Sequence, residues 1–130
     1  MATTTTLLLK TASTIILAIN TLSLLTGTTM LGGSEIFPPK TPATALAESQ
    51  IRYTAGTTAA LGAIGWWAAS DLQERRVQIA MAAVGILVGA LGRAVAGYRH
   101  GFGEGMWVAM WAEVAIPVGV WGVGRWEGVW

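Results

Sequence analysis

Four apolar stretches, each close to the length of a membrane crossing, constrain this chain more than any other feature. They occupy residues 7–31, 51–70, 77–98 and 106–124. A helix needs roughly 20 residues to cross about 30 Å of hydrocarbon. In lipid the backbone must satisfy its own hydrogen bonds, which leaves helices and closed barrels. A barrel would show strands of about 10 residues alternating apolar and polar, and no such alternation runs here. The pattern predicts an all-α integral membrane four-helix bundle, a single transmembrane domain over residues 1–130.

Composition agrees. The chain is 53% hydrophobic and 12% charged, with mean hydropathy +0.55, where a soluble domain carries about 25% charge. The formal net charge of +1 gives no basic footprint for nucleic acid. The absence of cysteine excludes disulfides and thiolate chemistry. One histidine, with no CxxC or HExxH motif, points to no metal site. No cofactor is expected.

The links between the stretches are polar. Residues 32–48 contain Pro38, Pro39 and Pro42 and read as a loop. Residues 71–76 and 99–105 read as short hairpins, and RWEGVW at 125–130 as an interfacial tail anchored by Trp126 and Trp130. Ala45-Leu46-Ala47 resembles a signal cleavage site, but it lies far beyond the apolar run and MATTTT carries no basic region. The first stretch is therefore read as a retained helix. One side of the bundle would carry Lys10, Arg75, Arg76 and Arg125, and the other Lys40, Arg52, Arg99 and His100. The Arg75-Arg76 pair slightly favours cytoplasmic termini. Trp66, Trp67 and Trp107 read as belt residues. Glycines at 62, 65, 85, 89 and 92 read as close helix packing.

Charges inside the stretches bear on function. In an antiparallel bundle, Glu48 and Arg52 open the second helix four residues apart and share a face. Arg93 and Glu113 lie roughly 7–10 Å below the same surface at 1.5 Å per residue. Two arginines and two carboxylates are thus expected in one layer, with Tyr53, His100, Trp111 and the deeper Asn20 as neighbours. Each has a plainer reading. Glu48 can serve the helix dipole, Arg52 can snorkel, and His100 can be a loop residue. An Arg93–Glu113 pair can simply lock the bundle. A lone carboxylate at that depth must take up a proton or find a partner. Intramembrane ionisable residues nonetheless mark functional sites by default. Pro117, four residues after Glu113, withholds a donor from that residue's carbonyl.

ESQIRYTAGTTAALGAIGWWAASD, VGALGRAVAGYRHGFGEG and WAEVAIPV together resemble a family of small four-helix integral membrane proteins of unknown function found in bacteria and fungi. The resemblance covers about residues 48–124. It rests on Glu48, Arg52, Tyr53, Gly56, Gly92, Arg93, Gly101, Glu113 and Pro117. It implies the fold and no chemistry. Some fungal membrane proteins of this size are similar to accessory enzymes of polyketide and terpenoid pathways, which is analogy alone.

The expected function is a cofactor-independent acid/base enzyme acting on a lipophilic small molecule. Glu113 would be the general acid and Glu48 the base. Arg52 and Arg93 would hold the carboxylates and stabilise oxyanion charge. Tyr53, Trp111, His100 and Asn20 would line the substrate. Epoxide-opening cyclisation or hydration fits this equipment best, and isomerisation almost as well. The alternative is a non-catalytic structural or lipid-binding membrane protein. A pocket open at the polar layer would favour the enzyme, and a filled core the alternative. Membrane lipids are the other expected partners, and a homo-oligomer is compatible with the sequence. In a fungal cell the expected location is the endoplasmic reticulum.

Overall fold

Threonine and serine are poor occupants of a helix interior unless their hydroxyls find the backbone. In the first helix they do. Thr14, Ser23 and Thr26 each donate to the carbonyl four residues earlier, at 2.8–3.0 Å. Asn20 does the same with Nδ2 to Ile16 O at 2.8 Å. A threonine-rich segment thereby presents few unsatisfied polar groups to lipid.

The computed structural model describes residues 3–27, 42–102 and 104–130. Its helices are α1 (Thr4–Thr26), α2 (Pro42–Ala68), α3 (Arg76–His100) and α4 (Glu104–Trp126). There is no strand among the described residues. Thr3 caps α1, its hydroxyl accepting from Thr6 N at 3.1 Å. Gly27 ends α1 at φ 60° and Gly101 ends α3 at φ 90°, a region that favours glycine.

The helices follow the apolar stretches with two corrections. The second helix begins at Pro42 rather than near residue 51, so part of the expected 32–48 loop is helical. Proline is tolerated in a first turn, where its missing N–H would have no partner anyway. The remainder of that loop, with Lys40, lies outside the described residues. The second correction concerns membrane spanning. Helices α1, α3 and α4 are long and apolar enough to cross a membrane, as a multi-pass membrane protein requires, and α2 is not among them. Its glycines, its tryptophans, Thr54, Thr57 and Thr58 dilute the apolar content.

Each helix packs on its neighbours in a ring, α1 on α2, α2 on α3, α3 on α4 and α4 back on α1. Large apolar side chains face outward, among them Leu25 (70% exposed), Met81 (68%) and Val108 (70%). The buried positions are mostly small: Ala12, Ala55, Ala68, Ala82 and Ala90. That inside-small, outside-large distribution belongs to a bundle in lipid, where close approach rather than hydrophobic burial holds helices together. The tightest approach joins α1 to α2. A Cβ on Gly62 would lie 2.9 Å from Ile16 Cγ2 and 3.3 Å from the Leu17 backbone N, and one on Gly65 would lie 2.6 Å from Ser13 Oγ.

At the hairpin end, Trp66 and Trp67 are half-exposed, as expected of belt residues. Lys10 Nζ sits 5.6 Å from the Trp66 ring centre and Arg75 Cζ 4.0 Å from that of Trp67. Arg75 also donates to Trp67 O and to Ser70 Oγ. The tail departs from expectation. Trp126 is 89% exposed, but Trp130 turns back onto the core cluster of Leu9, Leu72, Ile79 and Val120. Its Nε1 donates to Trp121 O at 3.1 Å. Glu127 reaches the start of α1, accepting from Thr4 N, Thr5 N and Thr5 Oγ1 at 2.5–2.9 Å.

Candidate functional site

The four charges expected in one layer form two separate ion pairs. In the first, Arg52 Nη2 and Nε donate to Glu48 Oε1 at 2.6 and 2.9 Å. Arg52 Nη1 donates to Leu24 O at 2.5 Å and Leu25 O at 3.3 Å. Those carbonyls belong to the last turn of α1, where a cation complements both the unpaired acceptors and the helix dipole. Gly27 makes room for the pair, because a Cβ there would lie 2.9 Å from Glu48 Oε1. Glu48 and Arg52 thus clamp the end of α1 to the start of α2. They are about 40% exposed, and no hydrogen bond among the described residues links them to the second pair.

The second pair is Arg93 on α3 and Glu113 on α4. Arg93 Nε donates to both carboxylate oxygens at 3.0 Å. The Glu113 side chain is 19% exposed and that of Arg93 40%. A guanidinium carries five N–H donors, and only the one on Nε is used here. The Nη1 and Nη2 groups make no hydrogen bond among the described residues.

This pair lines a cavity of about 350 Å³ between α2, α3 and α4. Thr54, Thr58 and Leu61 form the α2 wall, Met106 and Glu113 the α4 wall, and Gly85, Gly89, Gly92 and Ala96 lie beside Arg93 on α3. The glycines explain the space. A Cβ on Gly89 would lie 3.9 Å from Glu113 Oε2, and one on Gly92 would meet nothing within 4 Å. Their spacing reads from sequence as a packing stripe. Only Gly85 packs tightly, its would-be Cβ 2.9 Å from Leu61 Cδ1, while Gly89 and Gly92 hold the cavity open. Thr54, Thr58 and Met106 were not legible as site residues. They carry no charge, and their signal is only a shared helix face.

The expected substrate-lining residues do not gather here. Tyr53 is 73% exposed and His100 stands exposed at the end of α3. Asn20 spends its amide on its own helix. Trp111 is 55% exposed, outside the cavity wall. It extends an aromatic row in which Phe102 and Trp107 centres are 4.7 Å apart and Trp107 and Trp111 meet edge-on at 5.8 Å. Pro117 lies within an unbroken α4 and leaves the Glu113 carbonyl without its usual donor. Among the described residues no group of three or more His, Cys, Asp or Glu could hold a metal ion.

No curated protein and no solved structure matches this chain. A family described as a domain of unknown function, DUF4345, matches residues 4–123. That match reaches all four helices, including the first, which lies outside the stretch of resemblance at residues 48–124. The chain belongs to the DUF4345 family.

Proposed function

We propose that the Arg93–Glu113 cavity binds a lipophilic small molecule through an oxygen on it, and that Glu113 transfers a proton on that molecule. The observation that carries this reading is a half-buried ion pair facing open space in a layer where most bundles would be filled. A molecule arriving from the bilayer would place a carbonyl oxygen against the unused Arg93 N–H groups, which stabilise developing negative charge. The Glu113 carboxylate would take a proton from the adjacent carbon and return it elsewhere on the same molecule. Such an isomerisation consumes nothing, and one carboxyl group suffices as base and then acid.

The separation of Glu48 from the cavity favours isomerisation over epoxide opening, which uses an acid and a base together. The substrate family suggested by analogy remains polyketide or terpenoid, and the membrane in a fungal cell the endoplasmic reticulum. A second reading has its own support. Arg52–Glu48 is a clamp between helices, and Arg93–Glu113 joins α3 to α4 in similar fashion.

The test is Glu113→Gln in the source organism, with protein level confirmed in membranes and lipophilic metabolites compared by mass spectrometry. Accumulation of a compound isomeric with a missing product is expected. An unchanged profile with a stable protein would overturn the proton-transfer reading. Function retained in an Arg93→Glu/Glu113→Arg exchange would favour the clamp.

A further inference from the structure

A second cavity of about 360 Å³ adjoins the Arg93–Glu113 cavity on the side of the 71–75 hairpin, sharing Leu61 and Ile86 with it. All four helices line this second chamber, with Leu9 and Ile16 from α1, Gly65 from α2, Ile79 from α3 and Val120 from α4. The wall is almost wholly hydrocarbon, with Ser13 and, at the start of α3, Arg76 as its hydrophilic side chains, and Trp130 also lines it. Leu61 and Ile86 line both chambers and form the partition between them. Leu61 rests over Gly85, where any side chain would push it aside.

The dimensions fit one long guest. The chambers follow α3 from Arg76 to Ala96, about 30 Å of helix, which is the hydrocarbon thickness of a bilayer. From the level of Arg93 down to that of Ile79 is about 21 Å. A compact molecule in the polar chamber would leave the lower one unfilled, and walls of leucine, isoleucine and valine offer water no partners.

The charges limit the head group. Arg93 and Glu113 neutralise each other at 3.0 Å. An anionic head would accept from the unused Arg93 donors but would set a second carboxylate beside Glu113, leaving the half-buried site with a net negative charge. A neutral oxygen is a good acceptor for the unused guanidinium donors.

We propose that the two chambers hold one molecule, a neutral single-chain amphiphile. Its alcohol or carbonyl head lies at Arg93–Glu113, and its hydrocarbon tail passes between Leu61 and Ile86 into the apolar chamber. This rests on the polar cavity being a ligand site, and it adds the class of ligand.

The test uses the full chain in lipid nanodiscs and hexadecanol carrying a photoreactive diazirine at its tail end. After irradiation, adducts are mapped by peptide mass spectrometry. Adducts on Ile79, Ile116 and Val120 are expected. Octanol carrying the same group reaches only about 10 Å below Arg93, the level of Ile86, and should label the partition at Leu61 and Ile86 rather than Ile79, Ile116 or Val120. Palmitate carrying it should label roughly tenfold less than the alcohol, the cost of a second carboxylate beside Glu113. Leu61→Trp, which closes the partition, should reduce tail adducts by about tenfold or more. The wild-type adduct positions carry the test even if that variant misfolds.

Adducts spread evenly over the lipid-facing Val84, Val88 and Val108, or equal labelling by palmitate, would overturn the proposal. Adducts confined to the polar chamber would overturn it while leaving Glu113 as a proton-transfer group. Adducts in the apolar chamber together with unchanged metabolites in Glu113→Gln would support the amphiphile and remove the proton transfer.

Discussion

Replacing Gly62 by alanine should destabilise the bundle, whereas the same change at Gly92 should stabilise it. Glycine within a helix costs about 1 kcal/mol relative to alanine, so each substitution begins with a gain of that size. At Gly92 nothing lies within 4 Å of the added methyl, and the gain should stand. At Gly62 the methyl would lie 2.9 Å from Ile16 Cγ2 and 3.3 Å from the Leu17 backbone N. Ile16 cannot easily rotate away, because a β-branched side chain in a helix has essentially one rotamer. The Leu17 amide moves only if α1 moves. Overpacking of this kind costs typically 1–3 kcal/mol. The net loss at Gly62 is then up to about 2 kcal/mol, and the two variants differ by roughly 1–3 kcal/mol in opposite directions. Reversible unfolding in mixed micelles, driven by sodium dodecyl sulfate and followed by tryptophan fluorescence and helical circular dichroism, resolves such a gap. If Gly62→Ala were stabilised as much as Gly92→Ala, the close approach of α1 and α2 would be refuted.

Three further outcomes follow from the described contacts. The Glu127 carboxyl is lowered from 4.5 to about 2, first by the Thr5 hydroxyl, then by the other donors of Thr4 and Thr5. A depressed carboxyl favours the folded tail above its ordinary value, so that contribution should be complete above about pH 4.5 and fade as pH falls toward 2. Protection of the Thr4 and Thr5 amides, taken relative to intrinsic exchange at each pH, should fall over that window, and Glu127→Gln should remove the dependence. Arg52→Ala should release the Leu24 and Leu25 carbonyls at a cost of about 1–2 kcal/mol, seen as faster exchange in the last turn of α1; unchanged exchange would count against the clamp. Gly89→Leu should fill the space beside Glu113 and abolish metabolite conversion while leaving membrane protein level intact; normal conversion would show that the cavity is not the site.

The helices were legible because apolar length is a coarse signal that survives ignorance of packing. Depth counting along antiparallel helices also paired Arg93 with Glu113, and four-residue spacing paired Arg52 with Glu48. Sequence could not separate the two pairs. Depth gives the height of a residue in the bundle, whereas the facing depends on how each helix is rotated. Arg52 turns toward the α1 carbonyls, an acceptor set present at every helix end and therefore invisible as a motif. Proline misled in the 32–48 segment, since Pro42 opens a helix instead of extending a loop. Asn20 looked like a site residue because an amide in an apolar run is conspicuous, yet a backbone carbonyl one turn back satisfies it. The glycines of α3 were visible, but a packing glycine and one that preserves empty space have the same letter.

The contact between Glu127 and the first turn of α1 bears on how the bundle is made. During synthesis α1 emerges before α2 and can settle against it once both are inserted, since neighbouring segments close cheaply. Its leading N–H groups wait for a carboxylate more than a hundred residues further along the chain. Until then the first helix carries an open donor set at the membrane surface. Arrival of Glu127 closes the ring from α4 to α1 and gives those donors their acceptor.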